Sequence, residues 1–228
     1  THSIASGHGT TCTISDMAKA ASQKGLKLLG ITDHGPATLA AGTSSYFRSL
    51  IYSPRKRFDV ELLYGIELNI LDFDGTIDMD EAVLQRLDLA IASLHMPCIK
   101  PGTKKENTQA FLKVMENPYV DIIGHPGDPR YAVDYRELFR MAKETGTLLE
   151  INNASLTPGG FREGSRENIK KILLMSMEEG QPVVLGSDAH FYRNVGDFSY
   201  AEDLLRELQF PEELILNNTP EKFLAGLR

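Results

Sequence analysis

The chain has 228 residues, of which 42% are hydrophobic and 24% are charged, and its formal net charge is −7. No stretch approaches the roughly 18 uninterrupted apolar residues of a membrane-spanning helix, so the sequence excludes a transmembrane protein. Its two cysteines are too few for a disulfide framework or a thiolate metal site, which fits a cytoplasmic protein. The acidic balance argues against nucleic-acid binding through a broad basic face, although a local basic patch stays compatible with it.

Hydrophobic and amphipathic segments alternate along the chain, which predicts strands alternating with helices. In chain order, we predict a helix at 17–24, a strand at 26–32, a helix at 46–55, a strand at 61–70, a small hairpin at 73–77, a helix at 81–86, a strand at 87–94, a helix at 108–116, a strand at 120–124, a helix at 135–144, a strand at 148–152, a helix that ends at 178, a strand at 183–187, a helix at 201–208 and a last helix that opens at 219–221. Short runs of Val, Ile and Leu between helices are typical of parallel strands covered on the outside.

Local signals support several of these boundaries. Thr13 and Asp16 have the spacing of a capping box at the start of the first helix. The pair Asp74 and Gly75 predicts a tight turn in the hairpin, which is appended to the main sheet. Ser165 is expected to cap the helix that ends at 178, and Pro220 to open the last helix at its first turn.

The strand–helix repeats define a fold class. Six repeats follow the N-terminal loop, and a seventh is implied because no predicted strand precedes His2. We therefore predict an α/β barrel of about seven units in a single domain over residues 1–228. An open, doubly wound sheet is the alternative.

All six histidines can be placed just past the carboxyl end of a predicted strand or in the loop that follows it. They are His2, His8, His34, His95, His125 and His190. In a barrel or an open parallel sheet these strand ends converge on one face, where α/β enzymes carry out their chemistry. The imidazoles are therefore expected to form one site, and a metal site is the first hypothesis.

Two carboxylates belong to the same layer. Glu67 lies inside the predicted strand 61–70, and Asp188 ends the strand that His190 follows. With the six histidines they make eight potential donors, whereas a tetrahedral zinc takes about four ligands. We therefore expect two or three ions, with Glu67 able to bridge two of them about 3.5–4 Å apart across a shared hydroxide. Imidazole with carboxylate favours Zn, Mn or Fe over Mg or Ca, and such clusters suit the hydrolysis of phosphate esters.

Each residue has a structural alternative. A lone loop histidine usually serves structure, Glu67 could face solvent, and Asp33 could either orient a ligand imidazole or cap a turn. What favours a metal site is the coincidence of position across separate segments. Candidate substrate-binding residues on the same face are Asn152, Arg130, Arg162 and Lys104, although solvated loop charges are commoner than phosphate ligands. Cys98 is interpreted as a free thiol because no dedicated base is evident nearby.

The motifs around these residues resemble those of the PHP (polymerase and histidinol phosphatase) family, and most closely its stand-alone bacterial YcdX-type phosphatases. In order along nearly the whole chain, they are Thr1-His2, Thr32-Asp33-His34, Gly65-Ile66-Glu67, Ser93-Leu94-His95, Gly124-His125-Pro126 and Gly186-Ser187-Asp188-Ala189-His190. The resemblance implies a distorted, TIM-like (β/α)7 barrel with a trinuclear metal centre, usually described with zinc.

The resemblance also implies which residues share an ion. One ion would be held by His2, Glu67 and Asp188, a second by bridging Glu67 with His95 and His125, and a third by His8, His34 and His190. The family's Asp-x-His-x-His motif is represented here only by its last two residues, Thr1 and His2. The resemblance therefore implies a further ligand and an opening strand ahead of Thr1.

The leading functional hypothesis is a metal-dependent phosphoesterase that acts on small phosphomonoesters. A metal-bound hydroxide would attack phosphorus at the site that Glu67 bridges, and Asp188 or a site histidine such as His190 would assist proton transfer to the leaving group. One alternative is a metal-dependent nuclease, which the acidic charge disfavours. Another is a non-catalytic metal-binding regulatory module. The resemblance permits a homo-oligomer.

Overall fold

The computed structural model describes residues 1–228 and contains one seven-stranded sheet. Its strands are β1 (Leu28–Ile31), β2 (Lys56–Arg57), β3 (Val60–Asn69), β4 (Leu89–Ser93), β5 (Ile122–Ile123), β6 (Leu148–Asn152) and β7 (Val183–Gly186). Six strands are parallel neighbours in the order β1-β3-β4-β5-β6-β7, and β2 pairs antiparallel with β3. They curl into a half-barrel, which confirms the predicted α/β class and the distorted, TIM-like barrel. A doubly wound sheet would instead run outward from its middle strand in both directions.

Eight α-helices connect or flank the strands. They are α1 (Ile14–Gln23), α2 (Ser44–Ser49), α3 (Glu81–Leu84), α4 (Lys104–Met115), α5 (Tyr135–Thr145), α6 (Ser165–Glu179), α7 (Ser199–Glu207) and α8 (Pro220–Gly226). None of them is both long enough and apolar enough to cross a membrane.

Strand β3 is the longest strand and changes neighbours along its length. Its first half pairs with β1, from Leu28 opposite Glu61 onward, and its second half pairs with β4, ending with Asn69 opposite Ser93. Beyond the end of β1, His34 still forms an isolated bridge to Glu67. The stagger therefore brings the residues that follow β1 alongside the second half of β3.

Apolar side chains cover both faces of the sheet. A cluster of 45 buried residues forms the main core. A separate group of four lies on β4, β5, β6 and β7 and consists of Leu89, Ile122, Leu148 and Val184. Leu89, Ile122 and Val184 of this group also line a cavity of about 320 Å³ that extends to His2, Glu67 and Asp188. The polar cluster therefore meets an apolar interior on that side.

Local chemistry explains where the predicted boundaries were right and where they were wrong. The Thr13–Asp16 capping box is present, and Leu71 and Thr76 close the expected hairpin. Helix α4 begins one turn before 108 because Thr103 caps it in a second capping box. The Ser165 cap was wrong: Gly164 is the N-cap, and the Ser165 hydroxyl donates to the Arg162 carbonyl instead.

Two further differences concern short elements. The helix predicted at 46–55 is divided into α2 and a 3-10 turn, Leu50–Tyr52, and the short strand β2 was not predicted. The strand predicted at 120–124 is reduced to the two residues of β5, because Asp121 and Gly124 pair with β4 outside the regular ladder.

The buried face of α4 supplies a test of the core. Phe111 is 2% exposed and belongs to the main cluster, so Phe111→Ala should lower the free energy of unfolding by about 3–5 kcal/mol. Lys105→Ala on the exposed face of the same helix should change it by no more than about 0.5 kcal/mol. Urea denaturation of the two variants measures both values, and equal effects would contradict the packing described.

Candidate metal centre

One buried carboxylate lies in the middle of the histidine cluster. Glu67 is only 4% exposed, which excludes the solvent-facing alternative. Its Oε2 atom lies 3.2 Å from His2 Nε2 and 3.4 Å from His34 Nδ1. Its Oε1 atom lies 3.2 Å from His95 Nε2 and 3.1 Å from His125 Nε2. A carboxylate with separate ring nitrogens on its two oxygens is arranged to bridge two cations.

Asp188 contributes a second carboxylate from the end of β7. Its Oδ1 atom lies 3.2 Å from His2 Nε2 and 3.6 Å from His190 Nδ1. Asp188 and His125 both have left-handed backbone conformations, with φ of 50° and 33°. Such conformations cost a non-glycine residue about 1 kcal/mol or more, so the surrounding fold holds both residues where the chain alone would not place them.

The rings of His34 and His190 stack on the ring of His2, and His8 packs against these two rings. The ring centroid of His2 lies 4.5 Å from that of His34 and 4.2 Å from that of His190. His8, which is exposed, lies 4.9 Å from His34 and 5.1 Å from His190. All six histidines are therefore brought together, with His8 at the outer edge.

Ligand atoms within 4.8 Å of one another form three groups. They are His2 with His34 and His190, His34 with Glu67 and His95, and His2 with Glu67 and Asp188. The last group has the same members as one set implied by the resemblance. His125 approaches the centre through Glu67 and His95, and His8 belongs to none of the three groups.

Two buried ring nitrogens lack a hydrogen-bond partner within the protein. His34 Nδ1 and His190 Nε2 are buried without one. The Nε2 atoms of His95 and His125 face each other at 3.2 Å. Because buried polar atoms are ordinarily satisfied, unpartnered imidazole nitrogens beside two carboxylates are what a cation site requires. The donor set fits divalent ions of the zinc, manganese or iron type.

A hydrogen-bonded chain behind the cluster fixes the ring of His2. Ser6 donates its only hydroxyl proton to Asp33 Oδ1 over 2.7 Å. Ser6 Oγ also lies 2.9 Å from His2 Nδ1, so it must accept a proton from that nitrogen. Nε2 of His2 is thereby aimed at the two carboxylates. Asp33 thus orients an imidazole, but that of His2 rather than that of its neighbour His34.

Glu67 is held by a similar contact. Ser93, at the end of β4, donates to Glu67 Oε1 over 2.7 Å. Gly124 leaves room for this contact, because a Cβ atom there would overlap the Ser93 hydroxyl. A glycine at this point is required by close approach rather than by an unusual backbone angle.

Burial and charge set the protonation of the inner groups. Burial opposes the charged form of His2, but hydrogen bonds to Asp188 and Glu67 raise its pKa to about 9. Burial likewise opposes ionisation of the two carboxyl groups. The imidazoles around Glu67, and His2 with Arg162 around Asp188, nevertheless hold both pKa values well below the usual range. The centre therefore contains two carboxylates and, without metal, a protonated His2.

The other buried imidazoles are neutral at pH 7. Burial and the charge of Arg162 lower the pKa of His125 to about 4. Burial and the charge of His2 lower that of His190 to about 4, and burial also lowers that of His34. Neutral imidazole is the form that binds metal, so these rings need not lose a proton to become ligands.

Glu150 is a buried acid that sequence reasoning missed. It lies on β6 and accepts hydrogen bonds from the His125 backbone over 2.7 Å and from Asn152 over 3.2 Å. Burial and the nearby charge of Asp188 raise its pKa to about 7. Gly186 on β7 makes space for the Glu150 carboxyl group, which a Cβ atom would overlap. The available signal was a charged residue inside the apolar run 148–152.

Two of the four predicted substrate-binding residues contact the centre. Arg162 donates to Asp188 Oδ2 over 2.9 Å, and its Nε atom is buried without a hydrogen-bond partner. Asn152 donates to the same Asp188 oxygen over 3.3 Å, while its own oxygen accepts from Ser155 over 2.9 Å. Both side chains therefore adjoin the carboxylate that contacts His2.

The other two lie farther from the histidines. Arg130 forms a bidentate pair with buried Asp128 and stacks on the exposed ring of Phe161 at 4.1 Å. Asp128 Oδ2 also lies 3.7 Å from Arg162 Nε, so Arg130 is connected to the centre only through a shared acid. Lys104 is exposed at the start of α4, and its ammonium group binds Asp134 at 2.9 Å.

Comparisons with known proteins agree with this geometry. The sequence profile of the PHP domain matches residues 1–156. A probable phosphatase of Clostridium novyi is 44% identical over 228 residues, which cover 100% of this chain and 92% of that relative. The chain belongs to the PHP domain family. With the site described above, membership identifies it as a metal-dependent hydrolase of the phosphatase class.

Solved structures share the PHP-domain fold at low sequence identity. A protein from Listeria monocytogenes has a TM-score of 0.66 and 19% identity, over 88% of this chain and 97% of that one. The histidinol phosphate phosphatase of Lactococcus lactis, solved with zinc, L-histidinol and phosphate, has a TM-score of 0.62 and 18% identity, over 92% of both chains. At these identities the likeness establishes the architecture only.

The raised pKa of His2 makes metal binding pH-dependent. An ion that binds through His2 Nε2 must displace the proton which that ring carries below pH 9. Zn²⁺ binding to the metal-free protein should therefore release about one proton at pH 7, and the affinity for Zn²⁺ should rise as the pH increases toward 9. Titration calorimetry in buffers of different ionisation enthalpy measures this release. A His2→Gln control should lack it, and an equal release from that variant would contradict the assignment.

The raised pKa of Glu150 predicts a pH-dependent stability. In the metal-free protein its pKa is raised from 4.5 to about 7, so the folded state binds more protons between these values and its unfolding free energy falls as pH rises through them. Glu150→Gln removes this loss, so the variant should exceed wild type by about 1–3 kcal/mol at pH 8 and match it near pH 4. Urea denaturation at both pH values measures the difference. Glu61→Gln, at an exposed position on β3, is the control, and a pH-independent difference would refute the prediction.

Proposed function

We propose that the protein hydrolyses small phosphomonoesters at a centre of three divalent ions, with zinc as the preferred metal. The observation that carries the proposal is the division of four imidazoles between the two oxygens of Glu67, all within 3.1–3.4 Å. The two oxygens thus each adjoin a separate pair of nitrogen donors, which supports at least two ions. His190 and His8 supply donors beyond those pairs.

Three sets of residues would hold the ions. One set is His2, Glu67 and Asp188, the second is Glu67, His95 and His125, and the third is His8, His34 and His190. When bound, divalent ions at such sites lower the pKa of water and neutralise phosphoryl charge. His8 stacks on His34 and lies tilted against His190, which supports the third set, although its exposure makes it the most easily lost donor.

The protein's own residues would bind and orient the phosphoryl group. Arg162 directs its guanidinium toward Asp188 and has an unsatisfied Nε–H, so it can donate to a phosphoryl oxygen. Asn152, fixed by Ser155, would help to hold Asp188 in place. Arg130 would attract the phosphate from farther out. Lys104 would require its pair with Asp134 to open.

Proton transfer is assigned to Asp188 or His190. Because the Asp188 carboxyl group is ionised and His190 is neutral at pH 7, either would first accept the proton that the attacking water releases and then pass it to the leaving oxygen. Both adjoin the same edge of the cluster, with His190 Nδ1 3.6 Å from Asp188 Oδ1. The His190 side chain is 22% exposed and that of Asp188 is 9% exposed, so His190 is the more accessible to an entering substrate.

The choice of phosphomonoesters rests on charge and on the relatives. A monoester dianion presents three terminal oxygens to the cationic groups of the centre, whereas a diester presents two. The net charge of −7 disfavours a long polyanionic nucleic acid. The Clostridium relative is a probable phosphatase, and the Lactococcus structure holds an alcohol and phosphate, the products of monoester cleavage.

The central carboxylate gives the sharpest test of the site. Glu67→Gln keeps the shape of the side chain but removes its charge, so kcat/KM for 4-nitrophenyl phosphate with added Zn²⁺ or Mn²⁺ should fall by about 100-fold or more. Glu61→Gln, at an exposed position on the same strand, should retain wild-type activity. Undiminished hydrolysis by the Glu67 variant would refute the proposed mechanism.

Two measurements on the wild-type protein test the substrate class and the ion count. The protein should cleave 4-nitrophenyl phosphate at least about ten times faster than the diester bis(4-nitrophenyl) phosphate, because only the monoester offers a full dianion to the centre. Elemental analysis should find about three ions per chain if all donor sets are filled. Preferential cleavage of the diester or of single-stranded DNA would favour a nuclease, and a metal-loaded protein inactive on all phosphates would favour a regulatory module.

A further inference from the structure

Asn69 lies between the metal centre and the hairpin that follows β3. It is fully buried at the end of β3, two residues after Glu67. Its Oδ1 atom lies 2.7 Å from His95 Nδ1. At its other end, Nδ2 donates to Asp78 Oδ2 over 2.6 Å and to the Gly35 carbonyl over 3.3 Å. The amide therefore connects a ligand histidine with an acid outside the cluster.

The partners of the amide fix its orientation. A carboxylate and a carbonyl oxygen can only accept, so the NH₂ end of Asn69 must face Asp78 and Gly35. The amide oxygen then faces His95, and the Thr38 hydroxyl donates to the same oxygen over 3.2 Å. Since an oxygen can only accept, His95 must carry a proton on Nδ1.

The orientation of Asn69 in turn fixes the reactive nitrogen of His95. A neutral imidazole with a proton on Nδ1 has its free lone pair on Nε2. That atom lies 3.2 Å from Glu67 Oε1 and 3.2 Å from His125 Nε2. The lone pair is thus presented on the side of the cluster where the bridging carboxylate lies.

Asp78 is the residue on which this orientation depends. Besides the Asn69 side chain, its two oxygens accept from the Asn69 backbone and from Ala37, each over 2.9 Å. An amide at this position has one oxygen and could not accept from all three donors. Gly35 packs directly against the carboxyl group, and a Cβ atom there would overlap it. Asp78 is therefore enclosed by groups that fit a carboxylate.

We infer that Asp78 is a positioning residue for metal binding, which acts through Asn69 to hold His95 as the Nδ1–H tautomer. The inference rests on the proposed role of His95 as a ligand. It also gives the appended hairpin a function, because Asp78 belongs to the segment that returns from it. The hairpin would then support the affinity of the centre without contributing a ligand.

The first test replaces the carboxylate with an amide. In Asp78→Asn the NH₂ group of the new amide can face the NH₂ group of Asn69, and two donors repel each other. In part of the molecules the Asn69 amide should therefore flip. Its NH₂ group would then face His95 Nδ1, so the ring proton would move to Nε2. Zn²⁺ affinity, measured by competition with a chromophoric chelator, should fall about 10- to 100-fold. Histidine ring ¹⁵N shifts in the metal-free protein should show His95 moving from the Nδ1–H toward the Nε2–H tautomer. Asp72→Asn, an acceptor in the same hairpin without contact to Asn69, should preserve both values.

A reversal of the pair separates positioning from general support. In the double variant Asn69→Asp with Asp78→Asn, the carboxylate at position 69 accepts from His95 Nδ1, and the amide at position 78 donates to that carboxylate. The Nδ1–H tautomer should return, because a carboxylate at position 69 can only accept. Zn²⁺ affinity should rise above that of the single variant but recover only in part, because the carboxylate replaces the donor to the Gly35 carbonyl. Unchanged tautomer and affinity in Asp78→Asn, or a double variant no better than the single one, would overturn the inference. If the single variant does not fold, the metal-free wild type decides, because His95 found there as the Nε2–H tautomer would overturn the inference.

The outcome is distinguishable from a failure of the proposed function. Every comparison is made with wild-type protein in the same chelator assay. Wild type that binds no Zn²⁺ would refute the metal centre itself. Equal Zn²⁺ affinity in wild type and in Asp78→Asn would refute only the positioning role.

Discussion

The burial of the Glu67 carboxylate is the constraint on which the rest of the site depends. An ionised carboxylate removed from water costs several kcal/mol unless charge and hydrogen bonds replace its hydration. Here four imidazole nitrogens and the Ser93 hydroxyl surround it. They come from the ends of β4 and β5, from the loop after β1 and from the N-terminal segment. The fold must therefore bring four separate segments to the two oxygens of Glu67. The staggered pairing of β3 with β1 and β4 makes this possible.

Much of the fold could be predicted because its signals are periodic and local. The apolar runs marked the parallel strands, and the Thr13–Asp16 spacing marked the start of α1. The errors arose where one contact outweighs a pattern. Thr103 extends α4 by a turn, and Gly164 takes the capping place expected of Ser165. Such contacts depend on backbone geometry that the sequence pattern does not contain.

The histidines could be found from sequence because they share a position, the carboxyl end of a parallel strand. The residues that support them could not, because their roles depend on register and on which atom carries a proton. Ser6 matters only because its hydroxyl is committed to Asp33, and Asn69 only because Asp78 orients its amide. Among the loop cations, sequence alone could not separate Arg162, which contacts Asp188, from Lys104, which binds Asp134.

The dispersal of the donors along the chain has a consequence for how the protein matures. The residues that gather around the two carboxylates are numbered from 2 to 190. Those that follow different strands come close to one another only when the sheet is assembled. Loop closure over such separations is slow compared with local structure formation. A complete set of ligands therefore exists only once the first and last strands of the curled sheet are in place. A divalent ion that needs the whole set of donors would therefore bind at the end of folding rather than nucleate it, unlike in small zinc modules whose ligands are close in sequence.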